Sequence, residues 1–288
     1  MANLKALSSR IKSVKSIQKT TRVMQMISAS KFRIAKEGVA RARDYCDRVD
    51  REATEHGCLV GTGEASSGVL LVVFSSDRGL CGGFNHLIAR ALREYLASVA
   101  SSNAQEKLHF LFVGTKACES VGKGYLEAFG EVIGVVPQPK GLGFLNFKSM
   151  LYGLSVDLAS YSRVVALYSK FHSFSRQEPV MEDVLVISSS EDSRDFGVVS
   201  EDKVTCSYDP DLASVRRKLC LSRCIGRLYL ALCDSLTCEH CCRMVAMESA
   251  NSNTKSMLDR LLLDYNRSRQ ASITTDLIEV VSGCEALG

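Results

Sequence analysis

The apolar positions of this chain change rhythm twice. From Leu4 to about Gly57 they recur three, four or seven residues apart, at Leu4, Leu7, Ile11, Val14, Ile17, Met24, Ile27 and Ile34, as one face of a helix requires. The stripe is narrow and drifts around the cylinder. No proline interrupts it, and Gly38 is the only glycine before Gly57. The helical rise turns this span into a rod of roughly 80 Å, longer than an ordinary domain. So long a helix with so thin a stripe needs a partner helix.

After a Gly- and Ser-rich stretch at 57–68 the pattern becomes short and continuous. Val69–Phe74, Leu108–Val113, Val132–Val136 and Val164–Tyr168 are apolar runs rich in β-branched or aromatic residues, and Val180–Ile187 is a further strand candidate. Helical patterns near 84–101, 116–127 and 145–160 lie between them. Strands that alternate with helices and are apolar on both faces imply βαβ units and a Rossmann-like parallel sheet. Residues 188–206 read as a loop.

The helical rhythm returns at Asp209-Pro210, a strong N-cap and first-turn pair. From Asp211 to Ser282 only Gly226 breaks the good helix formers, which predicts a second rod of roughly 105 Å. Its last part carries an apolar face at Leu258, Leu261, Leu262, Tyr265, Ile273, Leu277, Val280 and Val281. The opposite face carries Asn266, Arg267, Arg269, Gln270, Thr274 and Thr275. The pattern thus predicts an α/β domain at 68–190, bracketed by an N-terminal helix at 1–57 and a C-terminal helix at 208–288. Pairing the two ends as an antiparallel coiled coil buries both stripes.

Composition changes this picture little. An apolar fraction of 46% supports a core, and no run approaches the ~20 apolar residues of a membrane span. Twelve cysteines without a secretory leader read as reduced thiols filling small apolar sites. The net charge of +4 is modest but uneven, because the first 36 residues hold nine Lys or Arg and no acid. An organellar transit peptide and a nucleic-acid arm are both open readings of that segment. A basic helix facing acidic protein partners is preferred, since no aromatic residue precedes Phe32 to stack on bases.

Two stretches invite a chemical reading. Ser75 to Asn85 (SSDRGLCGGFN) follows a strand and precedes a helix, where a dinucleotide fold keeps its phosphate loop. Its glycines are spaced G-x-x-G-G, however, and it lacks the Lys-Ser/Thr pair of a P-loop. The second strand ends in Gly114-Thr115-Lys116, without an acid to hold a ribose. A tight turn explains the glycines without a ligand. The thiol cluster Cys220, Cys224, Cys233, Cys238, Cys241 and Cys242, with His240, has zinc-like spacings. On one straight helix its two pairs lie about 20 Å apart, so a zinc site requires a fold-back near Gly226. No Ser/His/Asp set, paired carboxylates or HExxH motif is present. Nothing in these residues argues for catalysis, a cofactor or a metal.

Three stretches together resemble the gamma subunits of F-type ATP synthases, over essentially the whole length. They are Ile11–Val14 with Lys19–Thr21 and Met24–Lys31, then Ser76–Gly83, then Arg243–Met247 with Tyr265–Thr274 and Glu279–Gly283. The resemblance implies a central rotor shaft that couples rotation of a membrane ring to conformational cycling of catalytic sites held by alpha and beta subunits. It implies alpha, beta and epsilon subunits and the membrane c-ring as partners, with neither nucleic acid nor direct membrane insertion. It also places Met24, Lys31, Arg243, Arg269, Gln270 and Thr274 at the contact with the alpha/beta ring, and Tyr208 at the foot on the membrane ring. Glu239-His240-Cys241-Cys242 departs from the Ala-rich approach usual before the Arg-Met motif, and Met247–Asn253 from a more regular A-x-D-N pattern. The start at Met1 and the lack of an extra insertion favour a bacterial-type enzyme on the cytoplasmic side of the inner membrane. A nucleotide-binding α/β protein with coiled-coil arms is the competing reading, and a static scaffold a third.

Overall fold

The computed structural model describes residues 2–55, 61–62, 68–101, 107–139, 141, 143–154, 156–188 and 211–285. Helix α1 (Ala2–Glu55) and helix α6 (Leu212–Glu285) stand at the two ends, the second 74 residues long and unbroken at Gly226. Between them come strands β1 (Gly61–Thr62), β2 (Val69–Phe74), β3 (Leu108–Val113), β4 (Gly130–Val136), β5 (Arg163–Phe171) and β6 (Gln177–Ser188). Helices α2 (Phe84–Ser101), α3 (Lys116–Val121), α4 (Lys123–Glu127) and α5 (Phe144–Gly153) are interleaved with them. By contacts the chain forms two compact units, Met1–Ala29 with Arg243–Gly288, and Ser30–Cys242.

The larger unit is built on a six-stranded sheet ordered β1-β6-β5-β2-β3-β4. Strands β2, β3, β4 and β5 run parallel, as their unbroken apolar runs require when both faces are covered. Strand β6 departs from the expected all-parallel sheet, since it pairs antiparallel with β5. The cause is the link. Only residues 172–176 separate the two strands, enough for a hairpin but too few for a crossover.

Each sheet face has its own core. Leu70, Val72, Phe74, Leu111, Val113, Val164 and Ala166 pack with Val39 and Ala42 of α1 and with Cys224, Leu228, Leu232 and Cys233 of α6. The alternate residues Leu71, Val73, Phe110, Phe112, Val165 and Leu167 pack with Phe84, Ile88, Leu92 and Leu96 of α2.

The expected helix at 116–127 is broken at Gly122, whose φ of 92° lies in the left-handed region that favours glycine. The one expected at 145–160 closes at Gly153, with a separate 3₁₀ turn at Leu158–Ser160. Asp209 and Pro210 lie outside the described residues. The observed cap is Asp211, whose carboxylate accepts from the Ser214 N–H at 3.1 Å and is held below its ordinary pKa by Ser214, its side chain first and its backbone N–H second.

Candidate functional site: the terminal helices and the crevice of the sheet

The crevice beyond the carboxyl ends of the parallel strands, at the switch between β2 and β5, is where an α/β sheet of this order would take a ligand. Here the chain's own groups occupy it. The Gln138 amide donates to the Ser75 carbonyl and to Glu239 Oε2, both at 2.8 Å, and the Gln138 N–H donates to Asp77 Oδ2 at 2.9 Å. Glu239, on α6, is buried. A carboxylate at this point opposes a phosphate rather than attracting one. Ser76 and Asn85 bond each other across the glycine turn, and Lys116 is paired with Glu119. Gly114 is required by packing, since a Cβ there would stand 2.0 Å from the Ser75 carbonyl oxygen. The loop is a structural turn.

The thiols are equally occupied. Cys238 donates to the Ser169 carbonyl at 3.3 Å, Cys242 donates to Gln177 Oε1 at 2.8 Å, and Gln177 Nε2 donates to Cys241 Sγ at 3.1 Å. Burial pushes the thiols of Cys224, Cys233 and Cys238 up to about 12. Among the described residues no three Cys, His, Asp or Glu side chains converge as a metal site. Gly226 serves close packing, because a Cβ there would lie 3.0 Å from the Tyr45 ring of α1.

The smaller unit is different in kind. Its buried apolar cluster is Ile11, Val14, Leu258 and Leu261, flanked by Leu7 and Tyr265. This seam of two paired helices takes only Leu7, Ile11 and Val14 of the first stripe and Leu258, Leu261 and Tyr265 of the second, so the pairing does not bury both stripes as expected. Much else that is apolar faces outward. Ile17, Val23, Met26 and Ile27 on α1 are more than half exposed, as are Leu263, Ile273, Leu277, Ile278, Val280 and Val281 on α6. Lys5, Arg10, Lys12, Lys15, Lys19 and Arg22 are exposed beside them. Two helices cannot bury three faces each, and an apolar surface of this extent marks a binding face.

The residues expected at a ring contact differ in exposure and in the unit that holds them. Arg269, Gln270 and Thr274 are exposed on adjacent turns of α6, with the Thr274 hydroxyl donating to the Gln270 carbonyl at 2.9 Å. Met24 is half-buried, and its carbonyl accepts from the Ser28 hydroxyl at 2.7 Å. Arg243 is buried, with only 8% of its surface exposed. Lys31 is exposed but belongs to the larger unit. Tyr208 lies outside the described residues.

Sequence reading missed a charged cluster in the larger unit. Arg223 Nε donates to Asp50 at 2.7 Å, Arg227 reaches the other oxygen of Asp50, and a second arm of Arg227 donates to Glu182 at 2.8 Å. Tyr168 completes it by donating to Glu182 at 2.7 Å. The available signal was Arg223 and Arg227, one helical turn apart on an otherwise apolar face.

A sheet covered on both faces and a pair of terminal helices with uncovered apolar side chains define a class: an α/β protein with long paired terminal helices. Known proteins sharpen this. The family model described as ATP synthase matches residues 3–287. The ATP synthase gamma chain of Ehrlichia canis is 40% identical over the whole of both chains, and that of the Wolbachia of Brugia malayi is 36% identical over the same extent. Among solved structures, one from the Euglena gracilis mitochondrial ATP synthase, described as OSCP/F1/c-ring, superposes with a TM-score of 0.71 at 18% identity. It covers 99% of this chain and 95% of its own. One from the Tetrahymena thermophila mitochondrial ATP synthase, described as central stalk/c-ring, gives 0.60 at 21% identity, with 80% and 99% covered. The chain belongs to the ATP synthase gamma chain family.

Proposed function

We propose that this chain is the central shaft of a proton-driven ATP synthase, turning within a ring of alpha and beta subunits that hold the nucleotide sites. The single observation that carries the reading is the surface of the terminal helices: apolar side chains from Ile273 to Val281 and exposed Arg269, Gln270 and Thr274, with too little protein of their own to cover them. A surface that is not three-fold symmetric, turning inside three similar subunits, meets each with different side chains. Differential contact shifts each catalytic subunit toward a different conformation, and this couples rotation to ATP formation and release. The chain itself makes and breaks no covalent bond.

In this reading Met24, Lys31, Arg243, Arg269, Gln270 and Thr274 serve the ring, Tyr208 the membrane ring, and an epsilon subunit binds alongside. Buried Arg243 acts by setting the shape of its helix and exposed Arg269 and Gln270 by direct polar contact. The same reading assigns residues 1–57 and 208–288 to the shaft and 68–190 to the α/β domain. No described helix is long and apolar enough to cross a membrane, so attachment at the cytoplasmic face of an inner membrane runs through the other subunits. Reconstitution of alpha and beta subunits with and without this chain tests the proposal. Ring assembly and cooperative ATP hydrolysis should require it; cooperative hydrolysis that is the same without it would defeat the reading.

A further inference from the structure

A shaft that turns other subunits must itself be held against twist, and the larger unit shows where. Helix α6 lies on the sheet through Cys224, Leu228, Leu232, Cys233 and Leu236, an apolar face. Apolar contact is strong but non-directional, so it resists separation better than it resists rolling or sliding. Two polar fasteners interrupt that face. At the first, the Arg227 guanidinium points one arm at Asp50 of α1 and another at Glu182 of β6, while Arg223, one turn away, takes the remaining oxygen of Asp50. The four side chains are only 20–34% exposed, and Tyr168 of β5 holds Glu182 from the other side. At the second, Glu239 is held by the Gln138 amide, which is anchored in turn to Ser75 and Asp77 beyond β2. Twelve residues of helix set the two fasteners about 18 Å apart along α6.

We propose that the Asp50–Arg227–Glu182 clasp, with the Gln138–Glu239 bond as its counterpart, is the torsional anchor that passes rotation between the sheet and helices α1 and α6. Arg227 and Gln138 are positioning residues. Their hydrogen bonds tie α6 to α1 and to the sheet, and they act by fixing the azimuth of α6. Guanidinium–carboxylate pairs suit this task because their bonds are directional, short and charge-assisted. One guanidinium bridging two elements locks their relative rotation, as a single lysine ammonium does not.

This inference rests on the rotor reading. It is tested in the whole ATP synthase complex, in membranes, with the amount of this chain per complex, ATP hydrolysis and ATP-driven ion pumping measured on the same preparation. Arg227→Met keeps the apolar stem and removes the fork. The expected result is hydrolysis retained while ions pumped per ATP fall several-fold, with a smaller fall for Gln138→Leu and an intermediate one for Arg227→Lys. A merely structural role would lower chain content, hydrolysis and pumping together and leave their ratio alone. An unchanged ratio in assembled Arg227→Met complexes overturns the proposal. Where Arg227→Met does not assemble, Glu182→Gln, which loosens the clasp from the sheet side only, carries the test with the same expected fall and the same overturning result. Loss of dependence on the wild-type chain would instead defeat the rotor reading.

Discussion

The two units of this molecule bury apolar surface in opposite ways. In Ser30–Cys242 the sheet is covered on both faces, and Phe74, Phe84, Phe110, Phe112 and Phe147 are all but completely enclosed. In Met1–Ala29 with Arg243–Gly288 the apolar cluster amounts to Ile11, Val14, Leu258 and Leu261, while side chains such as Leu263 (70% exposed) and Val280 (64% exposed) face outward. The first unit is finished by its own sequence. The second leaves much of its apolar surface uncovered, and the proposed shaft role assigns that surface to other subunits.

The largest effects should come from the finished unit. Phe110→Ala empties a site with no exposed surface, and the unfolding free energy of the sheet unit is expected to fall by about 3–5 kcal/mol. A loss below about 1 kcal/mol would mean that this core is looser than its packing indicates.

Next comes a cost built into the same unit. Asp234 is 2% exposed, its Oδ1 has no hydrogen-bond partner, and burial pushes its carboxyl up to about 6 against the pull of Arg43 and Lys170. The unfolded chain releases this proton near its ordinary value of 3.8. Between the two values the folded state binds more protons, so this group's contribution to stability declines as pH rises through that window. The penalty of about 2–3 kcal/mol is complete above it. Asp234→Asn should therefore raise the melting temperature relative to wild type at pH 8 and lose that advantage by pH 4. An equal difference at both pH values would contradict the assignment.

The seam of the smaller unit should respond more weakly and locally. Leu258→Ala is expected to cost about 2 kcal/mol, at the low end of the range for such a truncation because the neighbourhood is thin. The loss should appear as faster amide exchange in 243–285 with the sheet unit unchanged. Equal acceleration in both units would show that they unfold together.

Smallest in stability, yet decisive for the contrast, are the exposed polar residues. Arg269→Ala and Gln270→Ala should change the unfolding free energy of the free chain by less than about 0.5 kcal/mol, while reducing ATP-driven pumping in the complex. Unaltered pumping would remove these side chains from the ring contact.

Much of this architecture is legible in the residues. The long rods follow from uninterrupted apolar spacing and the central strands from β-branched runs, since each reports directly on which face is buried. The antiparallel course of β6 depended on the five-residue link at 172–176, a feature of connection length that periodicity does not carry. The break at Gly122 hinged on one backbone angle. The burial of Arg243 and the bridging of Arg227 are tertiary facts, because an arginine on a helix carries no local mark of whether its fork meets water or carboxylates. The phosphate-loop reading of Ser75–Asn85 lost its ground for a similar reason. What fills the crevice, Glu239, lies more than 150 residues away.

The most direct test of the contrast is amide hydrogen exchange of this chain, free and within the assembled ATP synthase. Residues 2–29 and 243–285 should gain protection by orders of magnitude on assembly, while β2, β3 and β5, already sealed, change little. Terminal helices that exchange equally fast in both states would contradict the claim that surrounding subunits complete them.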